Sequence, residues 1–212
     1  MKHGHFFTFE GIDGCGKSTQ LIRVAKALKA EGMNCLVTRE PGGAVISEKI
    51  REILISPENA GMCSETELLL YLAARAQHVR TIIKPAVDDG KIVLCDRFEQ
   101  ATFAYQGHGR GLDLGLLRSV NNFATGGLSP DITFIFDIPV ELSIARLAES
   151  GKGKDRIESE SPQFFENVRK GYLEAAAANP EKIKLLDGSK ELDKLTEEIL
   201  GTIFNTFVNV IL

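Results

Sequence analysis

Eight residues near the N-terminus have the types and spacing of a phosphate-binding loop. The stretch GIDGCGKS, residues 11–18, matches G-x-x-x-x-G-K-[ST], and it follows an apolar run and opens an amphipathic segment. Glycines let backbone N–H groups turn toward phosphate oxygens, and a helix N-terminus adds partial positive charge. The pattern predicts a nucleoside triphosphate site, and a glycine-rich structural turn is the alternative. The residues assigned to this site are Gly11, Ile12, Asp13, Gly14, Cys15, Gly16, Lys17, Ser18 and Thr19.

Two residues of this loop have a specific expected role. Lys17 would reach the β- and γ-phosphates, and Ser18 would ligate Mg²⁺. A second metal ligand is expected from an acid at the carboxyl end of a neighbouring strand, where ligands bind in open α/β sheets. Asp96 ends the run KIVLCD and is assigned this role, while Asp137, which ends TFIFD, is the alternative. Either acid could instead cap a helix or lie in a solvated loop.

Four arginines come from four different segments: Arg39, Arg51, Arg75 and Arg97. Arg75 interrupts an apolar helical stripe, and a guanidinium near a core requires hydrogen-bond acceptors from a carboxylate or a ligand. If the four side chains converge, they suit a second phosphorylated substrate. The alternatives are a structural ion pair at Arg75 and scattered arginines at the surface.

The chain alternates strand-like and helix-like segments. Strands are predicted at 5–9, 34–40, 91–96, 131–137 and 182–187, and helices at 17–32, 47–55, 64–90 and 191–207, with Pro85 able to bend or end the third. Continuous apolar strands indicate burial on both faces and a parallel sheet. The pattern predicts a doubly wound α/β fold in which helices flank five parallel strands. The glycine-rich, basic segments 107–111 and 150–156 are expected to be mobile.

Composition excludes several classes of protein. The chain has 212 residues, a formal net charge of −4 and 43% hydrophobic residues, which fits one soluble domain and argues against a nucleic-acid-binding surface. No apolar run is long enough for a membrane span, and the N-terminus does not match a signal peptide. The four cysteines lie at 15, 35, 63 and 95 without a C-x-x-C pair, which predicts free thiols in a cytoplasmic protein.

Six stretches, the first of which contains the phosphate-binding loop, make the sequence resemble the thymidylate kinases over nearly its whole length. The motifs are FEGIDGCGKSTQ, TREPGG (38–43), LAARAQH (72–78), LCDRFEQATFAYQGHGRG (94–111), SPDITFIFD (129–137) and DRIESE (155–160). The resemblance implies a P-loop NTPase-type three-layer fold and one nucleoside monophosphate kinase domain over 1–212, with a mobile lid at about 146–160. It also implies transfer of phosphate from ATP-Mg²⁺ to dTMP, giving dTDP for dTTP synthesis, and a homodimer built on long helices.

The resemblance implies a role for each residue of the acceptor site. Asp13 would accept a hydrogen bond from the 3′-hydroxyl of dTMP, which explains a carboxylate inside a phosphate-binding loop. Tyr71 would stack on thymine, and Ala101 replaces the serine that many relatives carry. The other residues that the resemblance assigns to dTMP are Arg39, Arg51 and Arg97 at the phosphate, Arg75 and Thr102 at the base, and Tyr105 and Gln106 near the sugar.

The resemblance also implies that the lid supplies catalytic positive charge, because the phosphate loop contains no arginine. The expected catalytic residues are Lys17, Asp96, Arg97, Lys152, Lys154 and Arg156. Arg146 would stack on adenine, or it is a solvated helical residue. Two alternatives remain open: another P-loop nucleoside or nucleotide kinase, and a non-catalytic nucleotide-binding switch.

Cys15 lies at a helix N-terminus, where the pKa of a thiol tends to fall. We therefore predict that thiol reagents inhibit the protein and that ATP protects it, and the alternative is an inert small residue.

Overall fold

The computed structural model describes residues 4–149, 151 and 153–208. The five strands are β1 (His5–Glu10), β2 (Cys35–Arg39), β3 (Ile92–Asp96), β4 (Ile132–Asp137) and β5 (Ile183–Asp187). They form one parallel sheet in the order β2-β3-β1-β4-β5. The predicted five-stranded parallel sheet is therefore confirmed, and β1, which leads into the phosphate loop, is its central strand.

Helices cover both faces of the sheet. They are α1 (Lys17–Ala30), α2 (Val45–Ile55), α3 (Ser64–His78), α4 (Lys84–Asp88), α5 (Glu99–Thr102), α6 (Leu114–Thr125), α7 (Val140–Glu149), α8 (Pro162–Ala178) and α9 (Leu192–Val208). A 3₁₀ turn covers Pro57–Asn59, and π-helical turns cover Val79–Ile83 and Phe103–Gly109. Among the described residues, no helix combines the length and apolar character that crossing a membrane requires.

The side chains of β1 alternate between the two faces of the sheet, because successive strand residues point in opposite directions. They therefore contribute to a separate hydrophobic cluster on each face. Phe7 and Phe9 are fully buried in a cluster with Val24 of α1. Phe6 packs in a second cluster with Val79 and other residues of the first π-helical turn. The carboxyl ends of β1 and β3 are thereby held side by side, with Phe9 opposite Asp96.

The structure narrows one sequence expectation and corrects another. Of the two alternatives for Pro85, it does not end the helix predicted for 64–90, because α4 continues through it after the π-helical turn Val79–Ile83. The segment 107–111 is not a mobile glycine-rich loop, since its first half belongs to the helical turn Phe103–Gly109. A β-carbon on Gly107 would approach Leu114 Cδ2 to 2.5 Å, so this glycine permits close packing.

The sequence analysis missed α5, α6, α7 and α8, although two of them carry visible start signals. The side chain of Asp113 accepts a hydrogen bond from the backbone N–H of Leu116 at 2.7 Å, and Ser161 caps α8 ahead of Pro162. Both are common N-terminal caps.

Candidate active site

The phosphate loop turns on three glycines with left-handed backbone. Gly11, Gly14 and Gly16 have φ values of 137°, 75° and 93°. A β-carbon on Gly11 would lie 2.6 Å from the carbonyl oxygen of Phe136, so no other residue fits there. The loop thus connects the end of β1 to the N-terminus of α1 with its backbone packed against β4.

Asp13 of the loop is paired with two cations. Its Oδ1 accepts hydrogen bonds from Lys17 Nζ at 3.3 Å and from Arg97 Nη2 at 2.7 Å. Although burial alone would raise the pKa of Asp13, Arg97 and Lys17 lower it well below its usual range. The carboxylate is therefore ionised, and it links a lysine of the phosphate loop to an arginine at the end of β3.

Arg97 has a backbone conformation that non-glycine residues rarely adopt, with φ of 69°. Its backbone N–H donates to the carbonyl oxygen of Phe9 at 2.9 Å. Its guanidinium donates to Tyr105 Oη at 3.1 Å and to Tyr172 Oη at 3.3 Å, and it lies over the Tyr105 ring. The left-handed turn thus directs the cation from the strand end toward Asp13.

Ser18 and Asp96 lie together beyond the ends of the central strands. The Ser18 hydroxyl donates a short hydrogen bond to Asp96 Oδ2. Asp137, the alternative metal ligand, instead forms a two-point ion pair with Arg169 at 2.7 Å and 2.9 Å. One hydroxyl and one carboxylate fit Mg²⁺, which keeps waters and phosphate oxygens as most of its ligands. Within the described ranges, no group of three or more histidine, cysteine or acidic side chains could hold a metal ion.

A cleft with an empty volume of about 590 Å³, including solvent at its mouth, opens beside Asp13. Its lining includes the following residues that the sequence analysis assigned to an acceptor: Asp13, Arg51, Tyr71, Arg75, Arg97, Thr102, Tyr105 and Gln106. Burial raises the pKa of Tyr71 to about 12, so its hydroxyl stays protonated. We call this cleft the acceptor cleft.

Arg75 is held inside the wall of the acceptor cleft by four hydrogen bonds. Its Nε donates to Glu40 Oε2 at 2.7 Å, and its Nη1 donates to Thr102 Oγ1 at 2.8 Å. The remaining acceptors are Asn121 Oδ1 and the carbonyl oxygen of Phe98. Arg75 forms a buried ion pair with Glu40 and also lines the cleft. A structural ion pair and a place in a ligand site are therefore compatible explanations of its position in the apolar stripe.

Arg39 does not line the acceptor cleft in the described part of the chain. Its Nη2 donates to both carboxylate oxygens of Glu48, and its side chain is 55% exposed. Arg51 donates to the carbonyl oxygen of Pro41 at 2.9 Å and does line the cleft. Three of the four arginines therefore converge, and Arg39 is paired outside the cleft.

The basic residues assigned to the lid occupy different positions. Lys152 lies outside the described residues, and Lys154 is exposed. Arg146 donates to the carbonyl oxygen of Gly14 at 3.0 Å, so it lies against the phosphate loop. Arg156 is buried, and its guanidinium donates to Glu67 and to the carbonyl oxygen of Leu54. The expectation that Arg156 acts as a moving catalytic cation does not fit this fixed ion pair.

The sequence is similar to those of known proteins. The family model for thymidylate kinase matches residues 9–199. This chain belongs to the thymidylate kinase family. A thymidylate kinase of Pseudomonas putida is 46% identical over 196 residues, covering 92% of this chain and 93% of its own length. One of Citrifermentans bemidjiense is 49% identical over 194 residues, covering 89% and 86%.

A solved structure agrees with this assignment. The crystal structure of thymidylate kinase from Ehrlichia chaffeensis has a TM-score of 0.77 and 32% identity, and it covers 95% of this chain and 99% of that chain. The family assignment makes this protein a nucleoside monophosphate kinase, a phosphotransferase. The resemblance found in the sequence and the predicted P-loop NTPase fold are both confirmed.

Cys15 of this kinase does not have the environment predicted for it. The residue is fully buried, and burial raises the pKa of its thiol despite the nearby Lys17. We therefore expect a thiol reagent to label the exposed Cys63 first and to leave Cys15 unreacted, because the thiolate is the reactive form. Mass spectrometry of labelled peptides over time, with activity followed in parallel, measures this. Rapid Cys15 labelling with loss of activity that ATP prevents would support the original prediction.

The sequence analysis missed three buried carboxylates that position the predicted residues: Glu10, Glu40 and Glu67. Glu10 ends β1, and its carboxylate accepts hydrogen bonds from the backbone N–H groups of Phe98 and Ala101 and from Tyr172 Oη. It thereby fixes the backbone that follows Arg97. The place of Arg75 in the apolar stripe indicated in advance that a carboxylate or a ligand must accept its hydrogen bonds, but not that Glu40 does so.

Glu10 should make stability depend on pH. Burial raises its pKa from 4.5 to about 7 in the folded protein. The folded state therefore binds more protons than the unfolded state between these values, so this contribution is complete below pH 4.5 and is lost as pH rises through about 7. We expect the free energy of unfolding of the wild type, minus that of Glu10→Gln, to fall over this range. Denaturant titrations at several pH values test this, and a constant difference would contradict it.

Proposed function

We propose that this enzyme transfers the γ-phosphoryl group of ATP to the 5′-phosphate of dTMP, giving dTDP and ADP as a step in dTTP synthesis. The observation that carries the proposal is the ion pair between Asp13 and Arg97, which joins the phosphate loop to the acceptor cleft. An ATP phosphate chain in the loop and a monophosphate in the cleft would meet at this pair. The family assignment supports dTMP as the acceptor.

On the donor side, backbone N–H groups of residues 11–19 would bind the β- and γ-phosphates, and Lys17 would neutralise charge that develops during transfer. Ser18 and Asp96 would hold Mg²⁺, which neutralises phosphate charge and orients the phosphates when bound. Arg146, which already contacts the loop carbonyl of Gly14, would lie against adenine.

On the acceptor side, Arg51 and Arg97 would bind the dTMP phosphate, and Asp13 would accept a hydrogen bond from the sugar 3′-hydroxyl. Arg39 would join them only after leaving Glu48. The base would lie against the Tyr71 ring, with Arg75 and Thr102 at its polar edge, while Tyr105 and Gln106 pack near the sugar. These assignments are supported by the lining of one cleft by all of these residues except Arg39.

The lid at about 146–160 would supply further positive charge on closure. Lys152 and Lys154 are the remaining candidates, because Arg156 is already bound to Glu67. A cation that arrives with closure stabilises charge on the transferring group and excludes water from it.

An ATP-consumption assay with dTMP, dUMP, UMP, CMP and GMP tests the acceptor. We expect turnover to be fastest with dTMP. A strong preference for CMP or GMP would favour another P-loop nucleotide kinase. ATP binding without acceptor-dependent turnover would favour a nucleotide-binding switch.

The proposed assembly is a homodimer that buries the outer face of α2, α3 and α6. Large apolar side chains are exposed on these neighbouring helices, including Val45 (79%), Leu69 (62%) and Phe123 (83%). Light scattering would give the molar mass. The cytoplasm is the proposed location, which four free thiols support.

A further inference from the structure

Glu67 is a buried carboxylate that the proposed chemistry does not use. It lies on α3, one helical turn before Tyr71, and is 1% exposed. Its Oε1 accepts hydrogen bonds from Gln106 Nε2 at 2.8 Å and Arg110 Nε at 3.1 Å. Its Oε2 accepts from Arg110 Nη2 at 3.0 Å and Arg156 Nη1 at 2.6 Å. Although burial alone would raise the pKa of Glu67, hydrogen bonds from Arg110 and Gln106 lower it, so the group is ionised.

The partners of Glu67 come from separate walls of the acceptor cleft. Gln106 follows Tyr105 on the helical turn that forms one wall, and both residues line the cleft. Arg156 lies between Asp155 and Ile157, which also line the cleft. Glu67 therefore joins the helix that carries Tyr71 to two other segments that face the same space.

Arg156 extends this connection to α2. Its Nε donates to the carbonyl oxygen of Leu54 at 2.7 Å, and its backbone N–H donates to the carbonyl oxygen of Ile55 at 2.9 Å. Leu54 and Ile55 end the helix that carries Arg51, a cleft residue. The end of the basic segment 150–156 is thus attached to the walls of the cleft on both sides.

The guanidinium of Arg156 depends on this arrangement. Among the described residues, its Nη2 is the one buried side-chain nitrogen or oxygen without a hydrogen-bond partner. Glu67 supplies its only carboxylate contact in the same part of the chain. Removing the carboxylate partner of a buried cation strongly destabilises the folded protein.

We propose that Glu67 is a positioning residue: by holding Gln106, Arg110 and Arg156, it sets the width of the acceptor cleft and anchors the C-terminal end of the lid. The proposal rests on the proposed function for the identity of the acceptor. It assigns Arg156 to anchoring the lid. The expected signature is a defect in acceptor use that spares the donor, which a salt bridge that only stabilises the fold would not produce.

The first variant is Glu67→Gln, which keeps the side-chain shape and one acceptor oxygen but removes the charge. We expect KM for dTMP to rise about tenfold or more, and KM for ATP to change by less than about twofold, because small displacements of positioning groups are costly. Glu65→Gln, at an exposed position on the same helix, is the matched control and should behave as the wild type. Unchanged dTMP kinetics in a folded Glu67→Gln protein would overturn the proposal.

The second variant separates positioning from stability. Glu67→Gln combined with Arg156→Met removes both members of the buried ion pair, and such replacements are often tolerated. We expect the melting temperature to recover relative to Glu67→Gln while KM for dTMP stays high. Recovery of both would show that the pair only stabilises the fold, and it would overturn the proposal. If the wild type uses another monophosphate, the proposed function fails and the same comparison is made with that acceptor.

Discussion

Lys17→Ala should lower kcat by about 100- to 1,000-fold or more, the loss expected when one preorganised donor to the transferring group is removed. Lys17 is only 6% exposed, and its pKa is raised by Asp13 and Asp96 in spite of burial and Arg97. It therefore carries a full charge beside the phosphate site. Because this charge acts mainly as negative charge builds up during transfer, kcat should fall much more than the affinity for ATP.

Steady-state kinetics with saturating dTMP, together with ATP binding by calorimetry, measure the two effects separately. Lys26→Ala is the matched control, because Lys26 is an exposed lysine on the same helix. Asp13 keeps Arg97 as a partner in the Lys17 variant, so the fold should survive. A near-normal kcat for Lys17→Ala would contradict the role proposed for Lys17 and the phosphate loop in phosphoryl transfer.

Asp13→Ala should lower kcat/KM for dTMP by roughly 10- to 100-fold, the range expected for losing a hydrogen bond to a charged group. The same change should leave ATP binding almost intact, since it frees Lys17 from its ion pair. The carboxylate is tolerated in a loop for anions because Lys17 and Arg97 neutralise it and it faces the acceptor cleft. In the proposed function, the same loop therefore contacts both negatively charged substrates.

Asp13→Asn separates charge from shape in this test. It keeps an oxygen that can accept the sugar hydroxyl but no longer neutralises Arg97, so its defect should lie between those of the wild type and Asp13→Ala. The decisive comparison is between donor and acceptor kinetics. Weaker ATP binding with normal dTMP kinetics would assign Asp13 to the donor site instead.

Elements of the fold were predictable where the local hydrophobic pattern of the sequence matches the burial of the element in the folded chain. The continuous apolar runs of β1, β3 and β4 identified buried parallel strands, because such strands have no solvent face to alternate with. The π-helical turn Phe103–Gly109 was not predictable, since glycine content indicates a loop unless the packing partners are known. Here Phe164 of α8 lies 2.6 Å from the position of a β-carbon on Gly109, a contact that only the folded chain reveals.

The candidate site was predictable in its residue types more than in its pairings. Arg97 follows the end of β3, whereas Arg51 lies on α2 and Arg75 on α3, and all three side chains line one cleft. The pairings of Arg39 with Glu48 and of Arg156 with Glu67 depend on side chains from separate segments. Hydrophobic periodicity does not predict such pairings, and the family resemblance assigned Arg39 to the dTMP phosphate and Arg156 to catalysis in the lid.

The left-handed backbone at Arg97 lowers the stability of the folded chain, but it orients a side chain of the candidate site. Glycine would relieve a conformation that costs other residues about 1–2 kcal/mol, yet glycine has no side chain to reach Asp13. Arg97→Gly would therefore relieve backbone strain but remove the hydrogen bonds from Arg97 to Asp13, Tyr105 and Tyr172. The strained turn is retained together with the side chain that links the end of β3 to the phosphate loop.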